Sequence, residues 1–173
     1  MNNASATRRR ADLQKLRELQ SRMRSTFEII QVVGDPARSI KLRIRIPTAR
    51  NDRYPQEKQE TSDVEVAFPE NYPLAGPEVH FATPIWNPNV YASGKWCYDQ
   101  WNAMENLELF VGRLMKVIAF DPAIVRPESP ANAAASQWYM RLRSRQPELF
   151  PTVILSGLVA GESKKPIVWK PIK

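Results

Sequence analysis

Residues 39–47, Ser-Ile-Lys-Leu-Arg-Ile-Arg-Ile-Pro, alternate without fault: Ile40, Leu42, Ile44 and Ile46 fall on one side of an extended chain, and Lys41, Arg43 and Arg45 on the other. Only a strand with one buried and one wet face satisfies that pattern. The neighbouring segments carry the same signal. Residues 26–36 are rich in β-branched side chains and stop at a Gly-Asp-Pro breaker, Val64, Val66 and Phe68 alternate again, and Pro-Glu-Val-His-Phe-Ala-Thr at 77–83 offers a short fourth strand. The connections are too short for crossover helices, so the spacing predicts a four-stranded antiparallel meander. The polar run 48–61 between the second and third strands reads as a loop.

Helical periodicity brackets this meander. After a polar lead of six residues, Leu13, Leu16, Leu19 and Met23 recur near helical spacing among arginines, which predicts a first amphipathic helix. Residues 106–120 are strongly apolar and end at Asp121-Pro122, as expected of a buried central helix despite Gly112, and residues 131–146 form a further helix. Helix, four strands, long loop, helix and helix in that order make an α+β domain. With 173 residues there is room for one such core, assigned to 8–146, with a flexible N-terminus at 1–7 and a Pro- and Gly-broken extension at 147–173.

The formal charge of +7 is concentrated at the start, where residues 1–27 hold seven arginines and lysines against two acids. That patch suits an acidic protein surface or a nucleic-acid backbone, and charge alone does not choose. One cysteine rules out an internal disulfide and points to a reducing compartment, the cytoplasm. Neither an apolar leader nor a run of eighteen apolar residues occurs, so no membrane role is expected. One Cys and one His, seventeen positions apart, are too few ligands for a zinc site, and the glycines form no phosphate-binding pattern.

From Ile85 to Trp101 periodicity vanishes, and the segment is built of Pro, Asn, Gly and aromatic residues around Cys97. Long ordered loops of this kind are often functional. Cys97, between Trp96 and Tyr98, is either a nucleophile or a small buried hydrophobe. His80 alternates away from Val79 and Phe81, and nothing local pairs it with the thiol. A thiol needs no histidine when its reaction partner is already a thioester, which narrows any chemistry here to acyl transfer between thiols.

The block from Phe68 to Asp99, FPENYPLAGPEVHFATPIWNPNVYASGKWCYD, resembles the strand-three to active-site block of the ubiquitin-conjugating enzyme (E2) family, without a gap and with the same eight-residue step from Asn89 to Cys97. The resemblance extends over roughly residues 8–146 and implies a UBC-like fold. It implies that Cys97 accepts a ubiquitin-like modifier from an activating enzyme (E1) as a thioester and passes it to an amine of a protein substrate. Asn89 then matches the asparagine that stabilises either the oxyanion or the active-site loop, in a loop that includes Asn87, Pro88, Ser93, Gly94, Asp99 and Trp101. Tyr91 matches a tyrosine lining the acceptor groove of the SUMO-conjugating subgroup. An acidic residue that orients the incoming lysine falls at Glu128 when counted from the third helix and at Arg126 when counted from Asp121-Pro122; a carboxylate suits the task, so Glu128 is expected.

The resemblance further places E1 binding on Arg8, Arg9, Arg10, Lys15 and Arg17, and a ligase (E3) or other partner on Phe68, Asn102, Ala103 and Met104. It implies no cofactor for this chain, the ATP being used by E1, and no metal. Four departures stand out, one being that Trp101 follows Cys97 by only four residues where the family has a longer step. The family's His-Pro-Asn is Asn87-Pro88-Asn89, its Pro-Pro turn is Gly76-Pro77, and Asn102-Ala103-Met104 replaces Ser-Pro-Ala. Such divergence fits a member from a bacterial operon with its own E1-like enzyme and modifier, a setting linked to phage defence. The alternative is a catalytically silent E2-like protein-binding module, a class that typically loses the cysteine and so is disfavoured by Cys97 and Asn89; a basic nucleic-acid-binding domain would explain the charge but neither the loop nor the cysteine.

Overall fold

The computed structural model describes residues 3–152 and residue 155, so most of the expected extension lies outside the described residues. Helix α1 (Asn3–Arg22) starts four residues earlier than the polar lead suggests, so much of the segment expected to be flexible is helical. It buries Leu16, Leu19 and Met23, the stripe visible in the sequence, together with Arg9 and Asp12, which that stripe does not include.

Strands β1 (Phe27–Val33), β2 (Ser39–Ile44), β5 (Ser62–Ala67) and β6 (Glu78–Phe81) form an antiparallel sheet in the order β1-β2-β5-β6. Register sets rows of apolar side chains across it: Val32, Ile40, Val66 and Val79 in one, Ile29, Leu42, Val64 and Phe81 in the next. Lys41, Glu65 and His80 form a row of the opposite parity. A register shift between Ile29 and Gln31 leaves Ile30 at 44% exposure, as a bulge residue drops out of the pleat.

The segment 48–61 is more than a loop. It contains a small ribbon of β3 (Thr48–Ala49) and β4 (Lys58–Gln59), and it carries Tyr54 into a second, aromatic cluster with Phe120, Trp138, Tyr139 and Phe150. Phe150 is only 3% exposed, so the body of the domain continues past the boundary expected at 146. Helix α2 (Leu107–Ile118) runs through the main core with Phe110, Val111, Leu114 and Met115 fully buried. It ends where Phe120 takes a left-handed φ of 57° before Asp121-Pro122. Helix α3 (Ala133–Arg145) is capped by the Asn132 side chain, which accepts from Ala135 N at 3.1 Å. No helix among the described residues is long and apolar enough to cross a membrane.

Candidate active site

The loop after β6 folds back as an irregular hairpin. Gly94 N donates to Tyr91 O at 2.8 Å and Tyr91 N to Lys95 O at 2.9 Å, closing a turn at Ser93-Gly94 whose Gly94 has φ 86°. Any side chain there is strained twice over, since a Cβ on Gly94 would also sit 2.7 Å from Phe81 O. Below the turn Val90 bridges Trp96, and Cys97 N donates to Asn89 O at 2.8 Å. The eight-residue step from Asn89 to Cys97 is thus the register of this hairpin. Trp96 turns inward, 3% exposed with its ring 5.1 Å from Phe110, so its neighbour Cys97 turns the other way and is partly exposed.

Three consecutive residues fasten the hairpin to the rest of the molecule. Asn87, fully buried, donates from Nδ2 to Val117 O at the end of α2 (2.9 Å) and accepts from Asn89 N on Oδ1 (2.9 Å). Pro88 O accepts from Ala131 N (2.8 Å) and Asn132 N (3.1 Å) ahead of α3. Asn89 spans to the loop between α2 and α3, accepting from Arg126 N (2.8 Å) and donating to Arg126 O (3.1 Å). The place of the family's histidine is therefore filled by an amide that supplies one donor and one acceptor, which is what those two backbone groups need. Both amide atoms of Asn89 are thus engaged on the Arg126 backbone, and Nδ2 keeps a second N–H.

Cys97 opens onto a cleft of about 220 Å³ lined also by Asn89, Asp99, Arg113, Ile124 and Arg126. Arg126 pairs with Asp99 at 2.6 Å and stands 3.9 Å from Glu128. Glu128, the acid expected from the resemblance, is not among the residues lining the cleft, whereas Arg126 is; the acid at the cleft is Asp99, two residues beyond the thiol. Tyr91, 44% exposed, donates its hydroxyl to Cys97 Sγ at 3.7 Å, and that bond pushes the ionisation of the phenol up. Trp101 is a brace: Nε1 donates to Pro73 O at 2.7 Å and its ring packs on Tyr72 and Phe110. A Cβ at Gly76 would meet Tyr98 Oη at 2.5 Å and Trp101 at 2.7 Å, which accounts for glycine where the family has proline.

The two partner surfaces are only partly as expected. On α1, Arg9 is 2% exposed and donates to Ala37 O and Pro69 O, Arg8 ion-pairs with buried Asp12 and donates to Ala103 O and Glu105 O, and Lys15 donates to Asn106 Oδ1. These three hold the fold, which leaves Arg10, paired with Asp35, and exposed Arg17 facing outward. Phe68 is 8% exposed against Tyr72 and Arg9, a core side chain and not a docking one. Asn102 caps its own turn by accepting from Met104 N, and Ala103 O is held by Arg8. Met104 is 83% exposed, and so is Leu74 at 81%, which carries no signal in the sequence because it lies in a turn without periodicity. Among the described residues no group of three or more His, Cys, Asp or Glu could hold a metal ion.

The family model for ubiquitin-conjugating enzymes matches residues 8–149. Ubiquitin-conjugating enzyme E2-20 kDa of Schizosaccharomyces pombe is 32% identical over 82 residues, covering 45% of this chain and 44% of its own length. Ubiquitin-conjugating enzyme E2 14 of Arabidopsis thaliana is 31% identical over 91 residues, 42% of this chain and 52% of that one. Ubiquitin-conjugating enzyme E2 N of Macaca fascicularis is 31% identical over 122 residues, 64% of this chain and 78% of that one. The chain spans about half the length of the first two relatives. The family match covers the helix, the sheet, the hairpin and both later helices, and the chain belongs to the ubiquitin-conjugating enzyme (E2) family, with its α+β UBC fold.

Proposed function

We propose that this chain is an E2-type transferase in which Cys97 carries a ubiquitin-like modifier as a thioester between an E1 and an amine, a lysine of a target protein. The observation that carries the reading is the hairpin register, Cys97 N to Asn89 O at 2.8 Å, which presents the chain's single cysteine at the cleft. In loading, the Cys97 sulfur attacks the E1 thioester carbonyl and the E1 thiolate leaves. In transfer, the amine attacks the Cys97 thioester and the Cys97 thiolate leaves. Thiol exchange of this kind needs a thiolate and a good leaving group but no metal or organic cofactor, and ATP is consumed at E1 alone.

Within this mechanism Asn87 and Asn89 keep the cleft in shape through α2 and Arg126. Asp99 is the carboxylate positioned to take up and orient an approaching ammonium, with Arg126 fixing its direction at 2.6 Å. Arg10 and Arg17 serve the E1 face, and exposed Leu74 and Met104 serve a ligase or other partner. The chain acts in the cytoplasm. The test is incubation with E1, modifier and ATP, read on gels with and without reductant. Wild type should form a conjugate that collapses with reductant, Cys97→Ala none, and Cys97→Ser an oxyester that resists reductant. Reductant-sensitive loading of Cys97→Ala would overturn the assignment.

A further inference from the structure

The charged side chains of the Cys97 cleft and of the neighbouring hairpin have ion-pair partners. Lys95 pairs with Glu78 at 2.9 Å, Arg113 reaching in from α2 pairs with Glu105 at 2.7 Å, and Arg126 from the loop before α3 pairs with Asp99 at 2.6 Å. The group that does reach the sulfur is neutral: the Tyr91 hydroxyl, 3.7 Å from Sγ across the hairpin turn. Tyr91 is held there by its backbone bonds to Lys95 and Gly94, and it also lines a second hollow of about 410 Å³ with Arg50, Trp86 and Asn132.

We propose that Tyr91 is a catalytic residue whose hydroxyl donates a hydrogen bond to the Cys97 sulfur whenever that sulfur is a thiolate, as nucleophile in loading and as leaving group in transfer. The proposal rests on the reading of Cys97 as the thioester residue. A hydrogen bond to an ionised acceptor is stronger than one to a neutral acceptor, so the contact strengthens as charge develops on sulfur. In loading, the Sγ–carbonyl carbon bond forms, the carbon–sulfur bond to E1 breaks, and the E1 thiolate takes a proton from solvent. In transfer, the nitrogen–carbon bond forms, the amine gives its proton to solvent, and the carbon–Sγ bond breaks with its electron pair left on sulfur beside Tyr91. Tyr91 keeps its proton throughout. The acylated sulfur is a poor acceptor, so in the loaded state the hydroxyl is released towards the second hollow. The upward push that Cys97 gives the phenol's ionisation is consistent with a group that stays a donor.

The experiment is alkylation of the full chain by iodoacetamide, followed by intact mass, for wild type and Tyr91→Phe from about pH 6 to about pH 11. Because the chain has one cysteine, subtracting the mass gain of the Cys97→Ala variant, which reports lysine and N-terminal amines, leaves the reaction of Cys97. Loss of the bond removes its stabilisation of the charged sulfur, so less reactive thiolate should be present near neutrality. The freed thiolate is intrinsically more nucleophilic with a Brønsted slope of about 0.4–0.5, so the net rate near neutrality should fall by less than the thiolate fraction does. At high pH, where both thiols are ionised, Tyr91→Phe should react faster, and the two profiles should cross. A merely structural role would not produce a crossing. Profiles that coincide, or Tyr91→Phe slower at every pH, would overturn the proposal. Loading and discharge with E1, modifier and ATP separate the two claims. Reductant-sensitive loading of wild type with coincident alkylation profiles removes Tyr91 and leaves the E2 reading, whereas absence of loading removes that reading together with the catalytic role.

Discussion

Replacing Asn87 with alanine tests how the active-site hairpin is held. The side chain is fully buried and makes two bonds, to Val117 O and from Asn89 N, both 2.9 Å. Their loss is unequal. Val117 O also accepts from Phe120 N at 3.0 Å and keeps a partner, whereas Asn89 N–H is left buried with none. A lost neutral hydrogen bond costs about 1 kcal/mol and an orphaned buried donor about 1–3 kcal/mol, so Asn87→Ala should cost about 3 kcal/mol. With a urea slope of about 2 kcal/mol/M, the unfolding midpoint should fall by about 1.5 M. Tryptophan fluorescence reports the transition, since Trp86, Trp96 and Trp101 flank the hairpin. Asn87→Asp keeps the acceptor but sets a carboxylate oxygen against Val117 O, and it should gain stability on acidification as the protonated acid becomes a donor. A midpoint for Asn87→Ala within about 0.3 M of wild type would refute the bridge as the element that holds the loop.

Asn89→Ala removes both bonds to the Arg126 backbone and should slow transfer to an amine more than loading; faster hydrogen exchange at the Arg126 amide, whose acceptor is Asn89 Oδ1, checks the structural half. Arg9→Ala should cost about 2–3 kcal/mol in urea unfolding, because it strips donors from Ala37 O and Pro69 O in a buried site, while Arg17→Ala should leave stability within about 0.5 kcal/mol and slow E1-dependent loading in a salt-sensitive way. The Arg43 guanidinium, hydrogen-bonded at 2.8 Å, holds the Asp63 carboxyl below its usual range. A depressed folded value means the pair's stabilisation is present above the unfolded carboxylate range near pH 4 and is lost as pH falls through the folded value, so Asp63→Asn should flatten the acid limb of a plot of urea midpoint against pH; an unchanged limb would show the pair to be inert.

The sheet was legible because β2 and β5 carry one buried and one wet face, so alternation in the sequence maps directly onto Ile40, Leu42 and Ile44 against Val66 and Val64. The hairpin was legible as a spacing, since Asn89 and Cys97 are cross-chain partners in it. What failed has a common cause. Residue type and position put Arg9 and Phe68 on surfaces, yet each is buried with a partner distant in sequence, Pro69 O for Arg9 and Arg9 itself for Phe68, whose ring also packs on nearby Tyr72. Tyr54 was assigned to a loop because the aromatic cluster that receives it is assembled from α3 and Phe150, neither of which signals across so many residues.

The departure at Asn87 joins these two kinds of outcome. The residue was visible as the missing histidine, but its partners were not, because Val117 O becomes available only where α2 ends and its last carbonyls lose their helical donors. A neutral imidazole offers one donor and one acceptor, as the amide does, but it changes to two donors on protonation and would then have no acceptor for Asn89 N–H. Asparagine meets the same two backbone groups with a side chain that does not titrate. The hold of α2 on the Asn89–Cys97 hairpin is thereby made independent of pH in the neutral range.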